Sequence, residues 1–133
     1  MKKFIDTNIK FKNETVTKRL QFVLYKDKKL PLPTEIEISE SGTCNRKCSF
    51  CPRSDPNFDD IKEFISNDLI YKVAKELSIL NYIGVIRFSG FVEPMLDKNI
   101  YDHIGSFRKL CPKSRIEIVT NGDPLNLERL KKI

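Results

Sequence analysis

The sequence predicts an α/β fold built on parallel strands, because three short strand-like segments alternate with segments of helical periodicity. The strand-like segments are residues 35–39, 83–88 and 115–120. Parallel neighbours need crossover connections, which helices supply, and such connections are right-handed. The predicted order β-α-β-α-β-α corresponds to half of a βα barrel or to a small open parallel sheet.

The segment before the first of these strands has two readings. Four apolar residues could form one stripe of a short helix: Val16, Leu20, Val23 and Leu24. Gln21–Tyr25 could equally be a strand that precedes a turn at the lysines. Pro31 and Pro33 then interrupt regular structure. We therefore assign residues 1–32 to an N-terminal extension and residues 33–133 to a core domain that stops inside a barrel.

The first strand alternates polar and apolar residues from Glu35 to Ser39. Glu35 and Glu37 then share one face, which is either a barrel interior or solvent. Residues 52–66 contain two prolines and several aspartates, and this composition predicts a loop with room for one helical turn.

The first helix is predicted to begin at Ser66 or Asn67, either of which can cap it, and to end near Leu80. Its predicted inner stripe consists of Leu69, Val73, Leu77 and Leu80. The second strand, residues 83–88, is largely apolar, and this composition suits a strand that is covered on both faces. Arg87 within it could meet an anionic substrate or form an ion pair.

The second helix is predicted from about Lys98 to Leu110, where the pair Cys111-Pro112 ends it. Its inner stripe consists of Ile100, Ile104, Phe107 and Leu110. Asp102 and His103 are expected on a solvated face. After the third strand, Asn121-Gly122 predicts a tight turn, and Leu127, Leu130 and Ile133 begin a third helix.

Composition narrows the class of protein. The chain has 133 residues, of which 40% are hydrophobic and 32% charged, as expected for one soluble globular domain. No apolar run approaches the about 20 residues that cross a membrane, and the N-terminus carries no secretory signal. The net charge of +6 includes a dense stretch at residues 26–29. We interpret this stretch as a solvated turn, and expect no nucleic-acid partner and a cytoplasmic location.

Three of the four cysteines lie in the motif Cys44-x3-Cys48-x2-Cys51. In a chain without an export signal, such a cluster indicates a metal site more often than a disulfide framework. Soft thiolates suit iron–sulfur clusters, zinc or Cu(I). A structural zinc site generally needs a fourth ligand, and neither His103 nor Cys111 has a zinc-finger spacing to the motif. Three ligands leave one metal position open to a substrate or cofactor.

The motif follows the first strand, at the edge of a parallel sheet where active sites lie. Two other segments follow the next strands and are expected at the same edge. They are Ser89-Gly90-Phe91-Val92-Glu93-Pro94 and Thr120-Asn121-Gly122. Glycine-containing strand ends often serve only as turns, so the prediction of a site at this edge rests mainly on the cysteines.

Together these segments resemble the N-terminal half of a radical S-adenosylmethionine (radical SAM) enzyme, over about residues 33–133. The resemblance implies that Cys44, Cys48 and Cys51 ligate three irons of a [4Fe–4S] cluster. It implies that the fourth iron chelates the amino and carboxylate groups of S-adenosylmethionine. An electron from the cluster then produces methionine and a 5′-deoxyadenosyl radical, which abstracts hydrogen from a substrate that the sequence does not identify.

The resemblance also implies roles for further residues. Phe50 is expected near the adenine, and the segment of Ser89, Gly90 and Glu93 near the methionine amino group. Asn121 is assigned to cofactor binding as well. An electron donor such as a flavodoxin or ferredoxin is implied as a partner.

Two features depart from the family pattern. Val92 stands where related sequences carry glycine, which approaches a ligand more closely and accepts positive φ. The family barrel also has more βα units than the three found here, so an oligomer or a missing C-terminal half is expected to cover the sheet edge. The alternative hypothesis is therefore a non-catalytic, three-cysteine cluster-binding or metal-binding fragment that needs its missing half or a partner.

Overall fold

A computed structural model of the protein describes residues 13–14, 17–18 and 20–133. The strands are β1 (Phe22–Tyr25), β2 (Lys28–Pro31), β3 (Glu35–Ile38), β4 (Ser41–Gly42), β5 (Ile61–Phe64), β6 (Val85–Phe88) and β7 (Arg115–Ile118). The helices are α1 (Asn67–Ile79), α2 (Ile100–Leu110) and α3 (Leu127–Leu130), with 3₁₀ turns at Pro52–Ser54 and Pro94–Leu96. No helix among these residues is long and apolar enough to span a bilayer.

The central sheet has the strand order β3-β6-β7, and both of its strand pairs are parallel. Ile36 lies beside Ile86, which lies beside Ile116. With α1 and α2 as crossovers between these strands, the predicted alternation of strands and helices is confirmed. The fold is a mixed α/β fold consistent with part of a βα barrel.

The core lies between this sheet and the two crossover helices. Phe88 and Phe107 are fully buried and meet edge to face, with ring centroids 5.9 Å apart. Such aromatic pairs add stability beyond the apolar area that they bury. From the helices, the buried apolar residues are Ile70, Ala74, Leu77, Ile100, Ile104 and Phe107.

The predicted inner stripe of α1 was wrong at its two ends. Leu69 is 47% exposed and Leu80 is 39% exposed, whereas Ile70 and Ala74 are buried. Stripes that begin at Leu69 or at Ile70 both satisfy helical periodicity, so spacing alone does not distinguish them. Ala74 is buried in the same core cluster as Ile86 and Phe107. The predicted cap is confirmed, since the Ser66 hydroxyl accepts from the Leu69 amide at 3.2 Å.

The predicted solvated position of His103 was also wrong, because this side chain is fully buried in the inner stripe of α2. Its Nε2 lies 2.8 Å from Asn67 Oδ1, and its Nδ1 lies 3.5 Å from Asp97 Oδ2. Burial lowers the pKa of His103, against an opposing effect of Asp97. The polar imidazole led to the prediction of solvent exposure. Its hydrogen bond with Asn67 reduces the cost of burying it.

The face of the sheet opposite the helices carries charge. Arg87 on β6 reaches Glu35 on β3 at 2.5 Å and Glu117 on β7 at 2.8 Å. Val85, Ile86 and Phe88 on β6 are buried, and Arg87 is partly exposed within an ion-pair ladder on the opposite face. Of its two sequence-based readings, the ion pair is the one observed.

The N-terminal extension contains an antiparallel hairpin of β1 and β2, so the strand reading of residues 21–25 is confirmed. Val16, from the helical reading, lies outside the described residues. The lysine-rich stretch is the hairpin turn, where Lys26 and Asp27 adopt positive φ. Gln21 joins the hairpin to the core, because its side chain donates to Asn81 O at 2.8 Å and accepts from Ile83 N at 2.7 Å.

A second short hairpin, of β4 and β5, was not predicted, because residues 52–66 were read as loop. The 3₁₀ turn within that loop agrees with the prediction of a helical turn. A Cβ at Gly42 would lie 2.6 Å from the Ile61 side chain, so the close approach of the two strands requires glycine there.

Glu40, between β3 and β4, is 1% exposed, and neither of its carboxylate oxygens has a hydrogen-bond partner among the described residues. Burial raises its pKa to about 7, and the charges of Asp97 and Glu93 add to this. The folded state therefore holds the proton more tightly than the unfolded state. The resulting stability is fully present below pH about 4.5 and is lost as the pH rises through about 7.

Glu40→Gln is expected to remove this pH dependence and to raise the free energy of unfolding at pH 8 by about 3–4 kcal/mol, since a pKa unit corresponds to about 1.4 kcal/mol. Urea unfolding of both proteins at pH 5 and pH 8 measures the difference. Glu76→Gln, on the exposed side of α1, is the matched control. An equal pH slope in wild type and Glu40→Gln would contradict the assignment.

Candidate active site

A cavity of about 240 Å³ opens at the carboxyl ends of the three parallel strands. Its lining includes every residue that the sequence singled out for the site except Ser89: Cys44, Cys48, Phe50, Cys51, Gly90, Glu93 and Asn121. The loops that follow β3, β6 and β7 each contribute to it. The predicted meeting of three strand ends at one edge of the sheet is therefore what the structure shows.

The cysteine loop begins two residues after β4 and is closed by short backbone bonds. The Cys51 amide donates to Cys48 O at 2.9 Å, and the Ser54 amide donates to Cys51 O at 2.9 Å. Pro52 then starts the 3₁₀ turn, where its missing N–H costs nothing. All three cysteines of the motif are free and half-buried, so their thiols are reachable from the cavity.

The donor set fits an iron–sulfur cluster, because three soft thiol ligands line one cavity wall and no disulfide consumes them. Among residues 20–133 and the other described positions, no three Cys, His, Asp or Glu side chains lie close enough to bind a metal ion as they stand.

Glu93 ties two of the strand ends to each other. It is 1% exposed; its Oε1 accepts from Met95 N at 3.0 Å and from the Thr120 hydroxyl at 2.6 Å. Its Oε2 accepts from Asn121 N at 2.7 Å. A carboxylate bound in this way is fixed in position, and it still has lone-pair capacity for one further donor. Glu93 N also donates to Thr43 O at 3.0 Å, and this bond connects the start of the cysteine loop to the residues that Glu93 links.

Gly90 has a φ of +118° and packs against Ser39. A Cβ at Gly90 would clash with the Ser39 hydroxyl. Glycine is therefore required there. Ser89 is 7% exposed, and its carbonyl accepts from the Ser39 hydroxyl at 2.9 Å. Val92 lines the cavity but is not among the described residues with positive φ, so its backbone needs no glycine.

An apolar rim surrounds the mouth of the cavity. Phe50 is 90% exposed, and Phe91 and Val119 are each 56% exposed. A lone exposed apolar residue is ordinary, but three beside one cavity form a surface that suits a flat, partly apolar ligand.

Arg53 was not recognised from the sequence. It is 3% exposed, donates to Gly42 O at 2.9 Å and to Phe91 O at 3.0 Å, pairs with Asp60 and stacks on Phe58. It thus joins the end of the cysteine loop to the segment after β6. No periodicity marks such a residue, and its place two positions after Cys51 was the one available signal.

Arg46 and Asp123 were missed as a pair. Arg46 lies inside the cysteine motif, and Asp123 follows the turn after β7. The guanidinium Nε donates to Asp123 Oδ2 at 2.7 Å, and Nη2 bonds the other carboxylate oxygen. Local sequence patterns do not indicate this pair, because its two residues lie 77 positions apart.

Comparison with known proteins decides the family. The profile described as the radical SAM superfamily matches residues 38–133. The chain belongs to the radical SAM superfamily. This confirms the predicted family, whose members use a [4Fe–4S] cluster and S-adenosylmethionine.

A curated relative and two solved structures agree with the radical SAM assignment. S-adenosyl-L-methionine-dependent 2-deoxy-scyllo-inosamine dehydrogenase of Niallia circulans is 35% identical over 99 residues, which are 74% of this chain and 39% of the relative. The structure of BtrN in complex with AdoMet and 2-DOIA has a TM-score of 0.67 at 35% identity, over 76% of this chain and 41% of BtrN. Selenomethionine BtrN in an open conformation has a TM-score of 0.62 at 35% identity, over 76% of this chain and 44% of BtrN.

The radical SAM chain described here therefore spans about two fifths of the length of the relatives that it matches. The family match begins at Ile38, the last residue of β3, and includes the cysteine motif, β6 and β7.

Proposed function

We propose that Cys44, Cys48 and Cys51 hold a [4Fe–4S] cluster and that the adjoining cavity binds S-adenosylmethionine for reductive cleavage. The observation that carries this proposal is that the three thiols open onto the same cavity as Gly90, Glu93 and Asn121. When bound, the cluster supplies the electron that cleaves the sulfonium, giving methionine and a 5′-deoxyadenosyl radical that abstracts hydrogen from the substrate.

The other cavity residues bind and orient the cofactor. Phe50 offers an exposed aromatic face beside the third cysteine, which suits stacking on adenine. Gly90 lets the backbone approach the methionine end closely, and Ser89 holds that backbone through its carbonyl. Glu93 accepts a charge-assisted bond from the ammonium group, and Asn121 contributes its amide at the same end.

The surroundings of the site complete the proposal. Residues 33–133 form the core domain, and residues 1–32 form an extension to it. An electron donor such as a flavodoxin or ferredoxin reduces the cluster, and the cytoplasm keeps the thiols reduced. The remainder of the barrel, from the same or another chain, covers the charged face of the sheet around Arg87.

A second candidate is a cluster-binding module without turnover of its own. It is favoured by the three strands of the central sheet and by the exposure of Phe50, Phe91 and Val119 beside the cavity. A radical needs a site that excludes water, and these side chains are open to solvent here.

One experiment separates the two candidates. The protein is reconstituted anaerobically with iron and sulfide, reduced with dithionite and given S-adenosylmethionine. The proposed function predicts 5′-deoxyadenosine at least about tenfold above a cluster-free sample, because the cluster is the electron source. Iron and sulfide binding without 5′-deoxyadenosine would favour the second candidate, and uptake of zinc without any cluster would contradict both.

A further inference from the structure

Two side chains inside the cysteine motif reach across the cavity mouth to the turn after β7. Arg46 donates two hydrogen bonds to the Asp123 carboxylate, one from Nε at 2.7 Å and one from Nη2. Asn45 donates to the same Asp123 Oδ2 at 3.1 Å. A guanidinium that meets both oxygens of a carboxylate has a defined orientation, unlike a single-contact lysine.

Asp123 is itself held by its own turn. Its amide donates to Asn121 Oδ1 at 2.9 Å, and Asn121 Nδ2 donates to Asn45 Oδ1 at 2.8 Å. Asn45, Asp123 and Asn121 therefore close a ring of hydrogen bonds between two segments far apart in sequence, and Arg46 is attached to this ring through Asp123. Arg46 and Asp123 are 48% and 39% exposed, so a lone pair here would be weak, whereas the ring and the bidentate contact add geometric definition.

Arg46 lies between Cys44 and Cys48 in the chain and lines the same cavity as the three thiols of the motif. The Arg46 amide donates to Cys44 Sγ at 3.5 Å, and Asn121 Nδ2 lies 3.8 Å from the same sulfur. The pKa of Arg46 is raised by the Asp123 carboxylate first and then by Cys48 and Cys44. Arg46 lowers the pKa of Asp123 in return, so the pair stays ionised at neutral pH.

Charge and hydrogen bonds at the sulfurs are among the levers that set the potential of an iron–sulfur cluster. One-electron reduction adds one negative charge to the cluster, and a cation that is held nearby stabilises the reduced form more than the oxidised form. A cation that swings freely in solvent does so less, because water and salt screen it.

We propose that Arg46, held by Asp123, raises the reduction potential of the cluster bound at Cys44, Cys48 and Cys51. Arg46 and Asp123 are thus positioning and electrostatic residues of the site rather than catalytic ones. This inference rests on the proposed function, since it requires a cluster on these three cysteines.

The test is a redox titration of the reconstituted protein, followed by the electron paramagnetic resonance signal of the reduced cluster. Arg46→Gln is expected to lower the ratio of reduced to oxidised cluster at a fixed potential by roughly threefold, which is roughly 28 mV at ~59 mV per factor of ten for one electron. Arg46→Lys keeps the charge and is expected to lose less than half of that shift.

Lys47 supplies the matched control, because it is exposed in the same loop and forms no ion pair with any described residue. Lys47→Gln removes an equal charge and is expected to shift the potential by less than half as much as Arg46→Gln. The role of Asp123 is tested by repeating Arg46→Gln in an Asp123→Asn background. The shift there is expected to fall by half or more, since the guanidinium is no longer held.

The iron content of every sample distinguishes a failure of the proposed function from a failure of this inference alone. Wild-type protein that binds no iron would overturn the proposed function itself. Wild-type protein with a cluster, but with equal shifts for Arg46→Gln and Lys47→Gln or with no shift for either, would overturn only this inference. A shift in Arg46→Lys as large as in Arg46→Gln would show that charge is not the cause. An Arg46→Gln shift of unchanged size in the Asp123→Asn background would remove Asp123 from the proposal.

Discussion

Replacing Cys48 with alanine is expected to abolish cluster binding and, with it, all cleavage of S-adenosylmethionine. The motif supplies three thiol ligands, and the fourth cysteine, Cys111, is buried against Ala74 O and does not line the cavity. With two thiols the cluster loses an iron ligand, and about four bound irons per chain should fall towards zero. Iron and sulfide analysis after anaerobic reconstitution measures this, together with the 5′-deoxyadenosine assay.

Cys111 offers a control within the same chain. It is 3% exposed, its thiol lies 3.5 Å from Ala74 O, and burial raises its pKa, so it stays a protonated packing residue. Cys111→Ala should therefore bind as much iron as the wild type, with a loss of folding stability of about 1 kcal/mol from the removed sulfur. Equal iron loss in both variants would show that the alanine substitutions act through the fold, and full iron retention in Cys48→Ala would remove that residue from the ligand set.

Glu93→Gln is expected to reduce both folding stability and affinity for S-adenosylmethionine. The carboxylate accepts from the Asn121 amide, the Thr120 hydroxyl and the Met95 amide while fully buried. An amide has a single acceptor oxygen, so its NH₂ group must face one of these donors. A buried donor left unpaired costs about 1–3 kcal/mol, and the loosened strand ends should weaken cofactor binding by about tenfold or more.

Urea unfolding and equilibrium dialysis with labelled S-adenosylmethionine measure the two effects of Glu93→Gln. Glu35→Gln is the matched carboxylate control, because Glu35 lies in the central sheet, away from the cavity, and pairs with Arg87 on the charged face. It should cost less than about 1 kcal/mol, as expected for an exposed ion pair, and leave cofactor affinity unchanged. Wild-type affinity in Glu93→Gln would exclude Glu93 from the cofactor site, whatever its effect on stability.

The sequence predicted the elements of the core better than the faces that they present. Strands β3, β6 and β7 and the Ser66 cap follow from alternating or apolar segments of strand length and from capping chemistry, which act over a few residues. The inner face of α1 and the burial of His103 did not follow. Both depend on which side of a helix meets the sheet, and on a partner such as Asn67 that lies 36 positions away.

The residues of the candidate site also fall into two groups, those that local motifs predicted and those that only the structure revealed. Cys44, Cys48, Cys51, Gly90, Glu93 and Asn121 were found because each stands in a local motif directly after a strand. Arg53 was missed, because a single arginine shows nothing of the two carbonyls that it binds. The β4–β5 hairpin was missed as well, since proline and aspartate in its connecting loop dominated the local composition.

By its local patterns alone, the sequence determined that parallel strands alternate with helices and that three thiols follow the first strand of the core. Those patterns act between neighbours in the chain, so they are legible without coordinates. Only the tertiary structure decided that Glu93 is locked by Thr120 and Asn121, and that Arg46 faces Asp123 beside the thiols. Such contacts join segments 27 to 77 residues apart, and their formation depends on how the sheet brings its strand ends together.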